Sequence, residues 1–336
     1  MGENRVRIVD IAEELGLSTA TVSNVIHGKT KKISDETVKR VQELLEQREY
    51  IPSMAAILLA QNNSQIVGVV VNDHEKYEGH VLEDGFVSAS LNALSGELEK
   101  AGYFMMVKST TKWQEISRYA SMWNMVGLVL MGFCEQDYQK LRENMHVPFV
   151  IYDGYLENGK GIVNLVVDNY EGGRRMGEYL KQLGHQSVLC VADNDICMDH
   201  QRYEGLKAVL PKAQQLIVPA KKAEREIFYQ EQLAYLLEHT AVFAVSDFYA
   251  ADLIGFLQKQ GLSVPKDISV AGFDDSMLSG LFHPAITTIR QDHCGRARLA
   301  LTLLEQLQKR EVIECKHVLP VQLLERESVA AVNKEQ

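Results

Sequence analysis

The sequence is poor in cysteine, proline and tryptophan, with 5 Cys, 7 Pro and 2 Trp among 336 residues. The cysteines are odd in number and scattered, which argues against a disulfide framework and predicts reduced thiols in a cytoplasmic protein. No run approaches the roughly 20 apolar residues that a membrane span needs, so we expect no membrane partner. The polar start, Met1 to Arg5, lacks the apolar segment of a secretion signal.

An excess of positive charge is also missing, because the formal net charge is −10. The first 60 residues carry 8 Lys and Arg against 9 Asp and Glu, so this segment is close to neutral. Proteins that bind nucleic acids usually have a basic surface. Any binding of DNA by this segment must therefore depend on where individual side chains lie.

Enzyme signatures are missing as well. There is no phosphate-binding P-loop and no Gly-x-Ser-x-Gly nucleophile motif. The run from Gly172 to Gly177 does not match the Gly-x-Gly-x-x-Gly pattern of dinucleotide sites, and Asp199-His200 and Asp292-His293 lack a further ligand at metal spacing. We therefore expect no catalytic residue, no metal and no cofactor.

Three helical patterns open the chain. Apolar residues at helical spacing predict helices over 8–14 and 18–27, joined at Gly16, and a third helix that begins at Ser34. Ser18 and Ser34 are suitable N-caps, and Gly16 can take the left-handed conformation of a helix end. The spacing predicts a helix-turn-helix; a small helical cap that merely packs is the alternative.

In a helix-turn-helix, the second helix enters the major groove of DNA. Asn24 can pair with adenine, Thr19 and Ala20 can contact a thymine methyl group, and hydroxyl groups can bind phosphates. The candidate DNA contacts of this helix are Ser18, Thr19, Ala20, Thr21, Ser23, Asn24 and His27.

A cluster of lysines, Lys29, Lys31 and Lys32, follows the second helix. Lysines at this place can bind phosphates, and Lys29 is a candidate DNA contact. Such a cluster is otherwise an ordinary solvated loop.

Met54 to Ala60 is a short and almost entirely apolar segment. About two turns of helix are not stable alone in water, so this segment needs a partner to order it. An ordinary linker helix packed on the core is the alternative.

From Ile66 onward, short β-branched runs alternate with amphipathic helices. This alternation predicts parallel sheets covered by helices on both faces, and two sets of strands separated near 163–168 predict two lobes. The predicted strands are 66–71, 104–107, 127–131, 149–152, 188–192, 216–218, 242–245 and 269–273.

Polar residues follow several of these strands. Asp153, Ser246 and Asp274 stand directly after predicted strands, and Asn72 follows the first one. Ligands bind outside the carboxyl ends of such strands. Without further information, residues in such positions are more often N-caps or surface charges than ligand contacts.

The residues together resemble the LacI/GalR family of bacterial regulators. The resemblance rests on 9–12, 16–18, 20–23 and 50–52 in the head, and on fragments at 66–71, 102–103, 147–148, 184–185, 264–275 and 287–289 in the same order as in the family. It extends over nearly the whole chain.

The resemblance implies an α/β fold with an N-terminal all-α helix-turn-helix head and two doubly wound, periplasmic-binding-protein-like lobes. The implied head covers 1–52, and a hinge helix and linker cover 53–65. The effector-binding core covers 66–336. Its first lobe takes in about 66–163 and 293–320, and its second lobe takes in about 164–290 and 321–336.

In the family, the hinge helix pairs with that of a second subunit in the minor groove, where a leucine kinks the duplex. Ala56 and Leu59 match that pattern, whereas Ser53 and Ile57 replace its usual Asn and frequent Arg. The family's effector contacts match Asp153, Arg202 and Asp274, with Ser246 in place of a common Asn.

Asn72 and Phe228 are further effector candidates, although an aromatic residue at helical spacing such as Phe228 is more often part of the core. The segment from Asn72 to Leu91 is acidic and longer than the family pattern.

The resemblance thus predicts a homodimeric repressor that binds a pseudo-palindromic operator in double-stranded DNA. A small molecule in the cleft, expected to be a sugar or sugar derivative, controls this binding. A small-molecule binding module that does not contact DNA is the alternative.

Overall fold

The computed structural model describes residues 6–51, 64–74, 77–156 and 161–332. The chain divides into two units, Met1–Ser64 and Gln65–Gln336. The predicted hinge contacts Ala56 and Leu59 lie outside the described residues.

The N-terminal unit contains α1 (Ile8–Leu15), α2 (Thr19–Ile26) and α3 (Asp35–Gln47). Gly16 ends α1 in the left-handed conformation (φ 67°), and the Ser18 and Ser34 hydroxyl oxygens accept backbone hydrogen bonds at the starts of α2 and α3. The buried core of the unit consists of Ile11, Ala12, Val22, Val25, Val41 and Leu44. The predicted helices are confirmed.

The C-terminal unit begins with a six-stranded parallel sheet in the order β11-β5-β4-β3-β1-β2. Its strands are β1 (Ile66–Val71), β2 (Phe104–Ser109), β3 (Gly127–Met131), β4 (Phe149–Tyr152), β5 (Val163–Val167) and β11 (Lys316–Leu319). Both β1 and β3 are buried along their whole length, as expected for a sheet covered on both faces.

Helices cover this first sheet. They are a 3₁₀ helix (Val81–Glu83), α4 (Gly85–Lys100), α5 (Trp113–Met122), α6 (Glu135–Asn144) and α13 (His293–Gln308). The last of these returns from the far end of the chain and packs against α4 and the sheet.

The second sheet has four parallel strands in the order β7-β6-β8-β9. Its strands are β6 (Val188–Ala192), β7 (Gln214–Ile217), β8 (Ala241–Ala244) and β9 (Ser269–Ala271). The helices of this lobe are α7 (Asn169–Gln182), α8 (Cys197–Val209), α9 (Lys222–Glu231), α10 (Leu233–Leu236), α11 (Asp247–Lys259) and α12 (Met277–Leu281).

Two further strands, β10 (Thr288–Gln291) and β12 (Val321–Leu324), pair antiparallel beside the second sheet. The sequence pattern did not predict these strands, nor β5 and β11. Because β5 belongs to the first sheet, the first lobe extends to Val167. The expected lobe boundary near 163 falls at the start of this strand instead of after it.

Candidate functional site

The second helix of the head exposes the side chains that were predicted to contact DNA. Thr19, Ala20 and Asn24 are exposed on α2, whereas Val22 and Val25 on its opposite face are buried. This arrangement leaves one polar face of α2 available to a partner.

The remaining candidates on this helix lie around that exposed face. Ser18 is exposed, and its hydroxyl group hydrogen-bonds the Thr21 hydroxyl (2.9 Å), which fixes both groups at the start of α2. Ser23 and His27 are partly buried. Helix N-termini also present free backbone donors that favour phosphates.

The lysine cluster lies in the turn after α2. Lys29, Lys31 and Lys32 are all exposed, and the Lys29 amide donates to the Asn24 carbonyl oxygen (2.8 Å). This hydrogen bond holds the start of the lysine cluster against the end of α2.

In each of the two sheets of the core, the strand order reverses at one place, the topological switch point. Ligands bind at such switch points in folds of this type. In the first sheet this point lies between β1 and β3, and the Asn72 side chain bridges it by donating to the Gly132 carbonyl oxygen (2.7 Å). In the second sheet it lies between β6 and β8.

Arg202 occupies the switch point of the second sheet. The residue is 7% exposed, and its Nη1 donates to the Val245 carbonyl oxygen (2.5 Å) just beyond β8. Its Nε donates to Asn169 Oδ1 (2.8 Å), and the guanidinium carbon lies 3.7 Å from the centre of the Phe273 ring. Together these contacts fix the guanidinium plane at the carboxyl end of the sheet.

Asp274 lies next to Arg202, with 3.9 Å between Oδ1 and Nη1. Its Oδ1 also accepts a hydrogen bond from Gln291 Nε2 (2.7 Å), and the residue is 8% exposed. Burial raises the pKa of the Asp274 carboxyl well above its usual range, against the lowering effect of Arg202. The structure therefore brings together the two residues that were the foremost effector candidates.

A second buried carboxyl, Asp247, adjoins this pair. It accepts hydrogen bonds from the Thr288 hydroxyl (2.5 Å) and the Ser276 amide (2.7 Å), and burial raises its pKa to about 6. Asp247 was not predicted from the sequence, because an acidic residue in the first turn of a helix is common at exposed helix ends.

Asp153 lies at the end of β4 in the opposite lobe. Its Oδ1 accepts from Arg296 Nη2 (2.5 Å) and from the Val167 amide (3.3 Å). Arg296 was not predicted; it is 1% exposed in the first turn of α13. The sequence offered a signal, since Arg296 lies four residues before Ala300 on the buried face of that helix.

Two candidates have other roles in the structure. Ser246 is the N-cap of α11, and its hydroxyl oxygen accepts from the Tyr249 amide (3.4 Å). Phe228 lies within α9 and packs, partly buried, against the hydrophobic core, and its contact with an effector stays a prediction.

The two lobes meet across these residues. A Cβ atom on Gly85 at the start of α4 would lie 3.2 Å from the Cβ of Ser276 in the second lobe. A separate cavity of about 360 Å³ is lined by both lobes, with Asp153 and Asn164 on one side and Asn169, Met198 and Gln201 on the other, and neither Arg202 nor Asp274 is among its lining residues.

Ten buried polar side-chain atoms have no hydrogen-bond partner among the described residues, and six of them belong to residues on elements that meet at this junction. These six are Asp73 Oδ1, Tyr152 Oη, Ser276 Oγ, Gln291 Oε1, and Nε and Nη1 of Arg296. Leaving such an atom unpaired costs about 1–3 kcal/mol, so their accumulation marks a place where a polar ligand is expected to bind.

A close contact between two helices positions Arg202. A Cβ atom on Gly173 of α7 would lie 1.9 Å from the Arg202 carbonyl oxygen, and one on Gly205 would lie 2.0 Å from the Tyr170 carbonyl oxygen. The glycine pair at 172–173, which does not fit a dinucleotide motif, therefore allows the backbones of α7 and α8 to touch.

Comparison with known families matches both units. Residues 7–53 match the bacterial regulatory proteins of the lacI family, and residues 178–329 match the periplasmic binding protein-like domain. Within the described residues, no helix is long and apolar enough to cross a membrane.

Individual proteins match over nearly the full length. The HTH-type transcriptional repressor PurR of Vibrio atlanticus (strain LGP32) is 27% identical over 346 residues, which cover 97% of this chain and 99% of that protein. The Lac repressor dimer bound to operator and the anti-inducer ONPF has a TM-score of 0.82 at 23% identity, covering 98% of this chain and 100% of that one. A LacI family regulator from Enterococcus faecium with bound ribose has a TM-score of 0.69 at 22% identity, covering 80% and 100%.

The fold and the matched domains define a transcriptional repressor with a helix-turn-helix head and a ligand-binding core of the periplasmic-binding-protein type. The chain carries a DNA-binding domain of the lacI family of bacterial regulatory proteins and a periplasmic binding protein-like domain. The resemblance stated from the sequence is confirmed, as is the predicted fold class.

Proposed function

We propose that this protein represses transcription as a homodimer and that a sugar or sugar derivative, bound between the lobes of the core, controls its affinity for operator DNA. The head supplies the DNA contacts through the exposed face of α2 and the lysine cluster. Two such heads related by two-fold symmetry call for a pseudo-palindromic operator.

The observation that carries the effector proposal is the set of unpartnered polar atoms between the lobes. These atoms come from both lobes and include donors and acceptors, as a polyhydroxy ligand requires. Arg202 and Asp274 lie beside them and supply charged partners for hydroxyl groups. Support also comes from the related E. faecium regulator, which holds ribose.

Effector control follows from the position of the site. A ligand that contacts both lobes favours the relative lobe setting to which it binds more tightly. We propose that this setting decides whether the hinges of the dimer, with Ala56 and Leu59, can pair on DNA. An effector of either sign, releasing or promoting DNA binding, fits this mechanism.

The test has two steps. Operator sequences are first selected from random duplex DNA with the full chain, and binding is then measured by fluorescence anisotropy. A panel of carbohydrates and nucleosides is next screened for thermal stabilisation and for a change in operator affinity. A protein that prefers no duplex at low salt, under any ligand condition, overturns the repressor proposal and favours a binding module that does not contact DNA.

The substitution Asp274→Ala tests whether the effector binds in the assigned pocket. We expect the variant to lose stabilisation by every ligand that stabilises the original protein while keeping its operator affinity, because Asp274 lies in the core unit. Glu231→Gln, which removes an exposed charge at the end of α9, is the control and keeps the response. An unchanged response in Asp274→Ala refutes the assigned pocket.

A further inference from the structure

Arg296 of the first lobe is a cationic residue whose hydrogen-bond donors are not all used. Arg296 Nη2 donates to Asp153 Oδ1 (2.5 Å) and to the Leu165 carbonyl oxygen (3.0 Å). Nε and Nη1 have no acceptor among the described residues, although the side chain is 2% exposed. A buried guanidinium with unused donors is costly, so an acceptor from a ligand would stabilise this arrangement.

Aromatic rings form the walls around this guanidinium. Its central carbon lies 4.6 Å from the centre of the Tyr152 ring and 5.6 Å from that of Phe86. The Tyr152 hydroxyl group is buried and also has no partner among the described residues. Two side chains from separate elements, β4 and α13, thus leave polar atoms unused at the same place.

This place faces the second lobe. Phe86 is in the first turn of α4, where a Cβ atom added to Gly85 would lie 3.2 Å from the Cβ atom of Ser276 in the second lobe. Burial raises the pKa of Asp274, and Asp84, next to Gly85, adds to that rise from the opposite lobe. The Arg296 donors therefore lie on the cleft wall that confronts Arg202 and Asp274.

Asp153 neutralises the charge of Arg296 but does not use all of its hydrogen-bond donors. Burial lowers the pKa of the nearby His293 to about 4, and Arg296 lowers it more than Asp153 and the neighbouring aspartates each raise it. The His293 imidazole is therefore uncharged, and the unused Nε and Nη1 donors of Arg296 require acceptor atoms at this position.

We propose that Arg296 and Tyr152 form a subsite for an acidic oxygen group of the effector, so that the preferred ligand is a sugar acid or sugar phosphate instead of a neutral sugar. The inference rests on the proposed function of the cleft. An anionic oxygen accepts hydrogen bonds and donates none, as the unused guanidinium donors require. Hydrogen bonds between ionised groups are also about twice as strong as neutral ones.

The experiment compares matched ligands on the full chain. Dissociation constants are measured by calorimetry for D-glucose, D-glucuronate and D-glucose 6-phosphate, and for D-galactose and D-galacturonate. We expect an acid to bind at least about tenfold more tightly than its neutral counterpart, which corresponds to roughly one charge-assisted hydrogen bond. The carboxylate and phosphate arms show which anion the subsite takes.

Two variants connect the preference to this subsite. Tyr152→Phe removes one hydroxyl group without a partner and keeps the ring, so we expect normal folding and an affinity for the acid that is lower by about fivefold. Tyr229→Phe removes another buried, unpartnered hydroxyl group, on α9, and is the matched control with unchanged affinity. Arg296→Lys keeps the charge but removes the Nη donors, and it should abolish the preference for the acid.

The outcomes separate this inference from the proposed function. Equal binding of neutral and acidic sugars, or equal behaviour of Tyr152→Phe and Tyr229→Phe, overturns the acidic subsite and leaves sugar control of the repressor intact. If none of these five ligands binds, while another ligand of the wider panel changes operator affinity, the acidic sugar is excluded. If no ligand of either panel acts, the effector function itself fails.

Discussion

The head and the core present their polar side chains in opposite ways. On α2, candidate contacts such as Asn24 and Thr19 are exposed on one face of a single helix. In the core, Arg202 and Asp274 are 7% and 8% exposed and come from elements far apart in the sequence. The head offers a surface, whereas the core offers a buried constellation.

This difference has energetic consequences. An exposed Asn is satisfied by water before DNA arrives, so each contact contributes a modest difference between correct and incorrect bases. A buried atom such as Gln291 Oε1 has no partner among the described residues and penalises any ligand that fails to satisfy it. Selectivity is therefore expected to be additive in the head and strict in the core.

The largest expected effect is on the core's backbone contact. Gly173→Ala places a Cβ atom 1.9 Å from the Arg202 carbonyl oxygen, so α7 and α8 must separate. We expect a loss of about 3 kcal/mol or more in the free energy of unfolding, as for other overpacked sites, together with loss of ligand response. Chemical denaturation measures the first, and calorimetry the second.

Gly96→Ala in α4 is the matched control, because nothing lies within 4 Å of its added Cβ atom. We expect it to stabilise the protein by about 0.5–1 kcal/mol, since alanine favours a helix over glycine. Equal effects of the two substitutions would contradict the close contact between α7 and α8.

A smaller effect is expected in the head. Asn24→Ala removes an exposed amide without a change in the buried core, so stability should stay within about 0.5 kcal/mol. Operator affinity should fall by about 1–3 kcal/mol if the amide pairs with adenine. Competition between the selected operator and duplexes changed at single bases measures this loss.

Gln42→Ala, an exposed substitution on α3, is the control for Asn24→Ala and should leave both quantities unchanged. If Asn24→Ala weakens binding equally for all duplexes, its amide contacts the DNA backbone and not a base.

The smallest expected effect is a pH response of the core. Burial lowers the pKa of His293 to about 4, while an imidazole in the unfolded chain keeps a pKa near 6.5. Between these values only the unfolded chain binds the proton, so stability falls as the pH drops from about 6.5 to 4 and is fully present above that range. We expect a contribution of about 1 kcal/mol after allowance for partial exposure.

Denaturation of the original chain and of His293→Gln across this range isolates the contribution. The comparison is needed because burial raises the pKa of Asp247 to about 6. The contribution of Asp247 to the free energy of unfolding therefore has the opposite sign and increases as the pH falls. Parallel pH profiles for the two proteins would exclude a protonation-resistant His293.

The sequence predicted the head more completely than the core. Helical spacing around Val22 and Val25 identifies both the buried face of α2 and, by exclusion, its exposed face. In the core, continuous apolar runs identify strands such as β1 and β3, but the short strand β5 contains Asn164 and was missed.

Which strand ends meet is a property of the sheet order, and a sequence pattern does not contain it. Asp153 and Asp274 were predicted singly, as residues that follow strands. Arg296 was missed because arginine is rarely buried, although its helical spacing with Ala300 placed it on the apolar face.

The touching backbones of α7 and α8 have a consequence for how such a sensor can change its ligand. At Gly173 and Gly205 the backbones of the two helices are in direct contact, so no substitution of side chains can adjust the spacing between the helices. The position of Arg202 relative to the sheet is therefore fixed. New ligand preferences are then expected to arise in the first lobe, at positions such as 152 and 296. There a single substitution alters the side-chain chemistry and leaves the backbone in place.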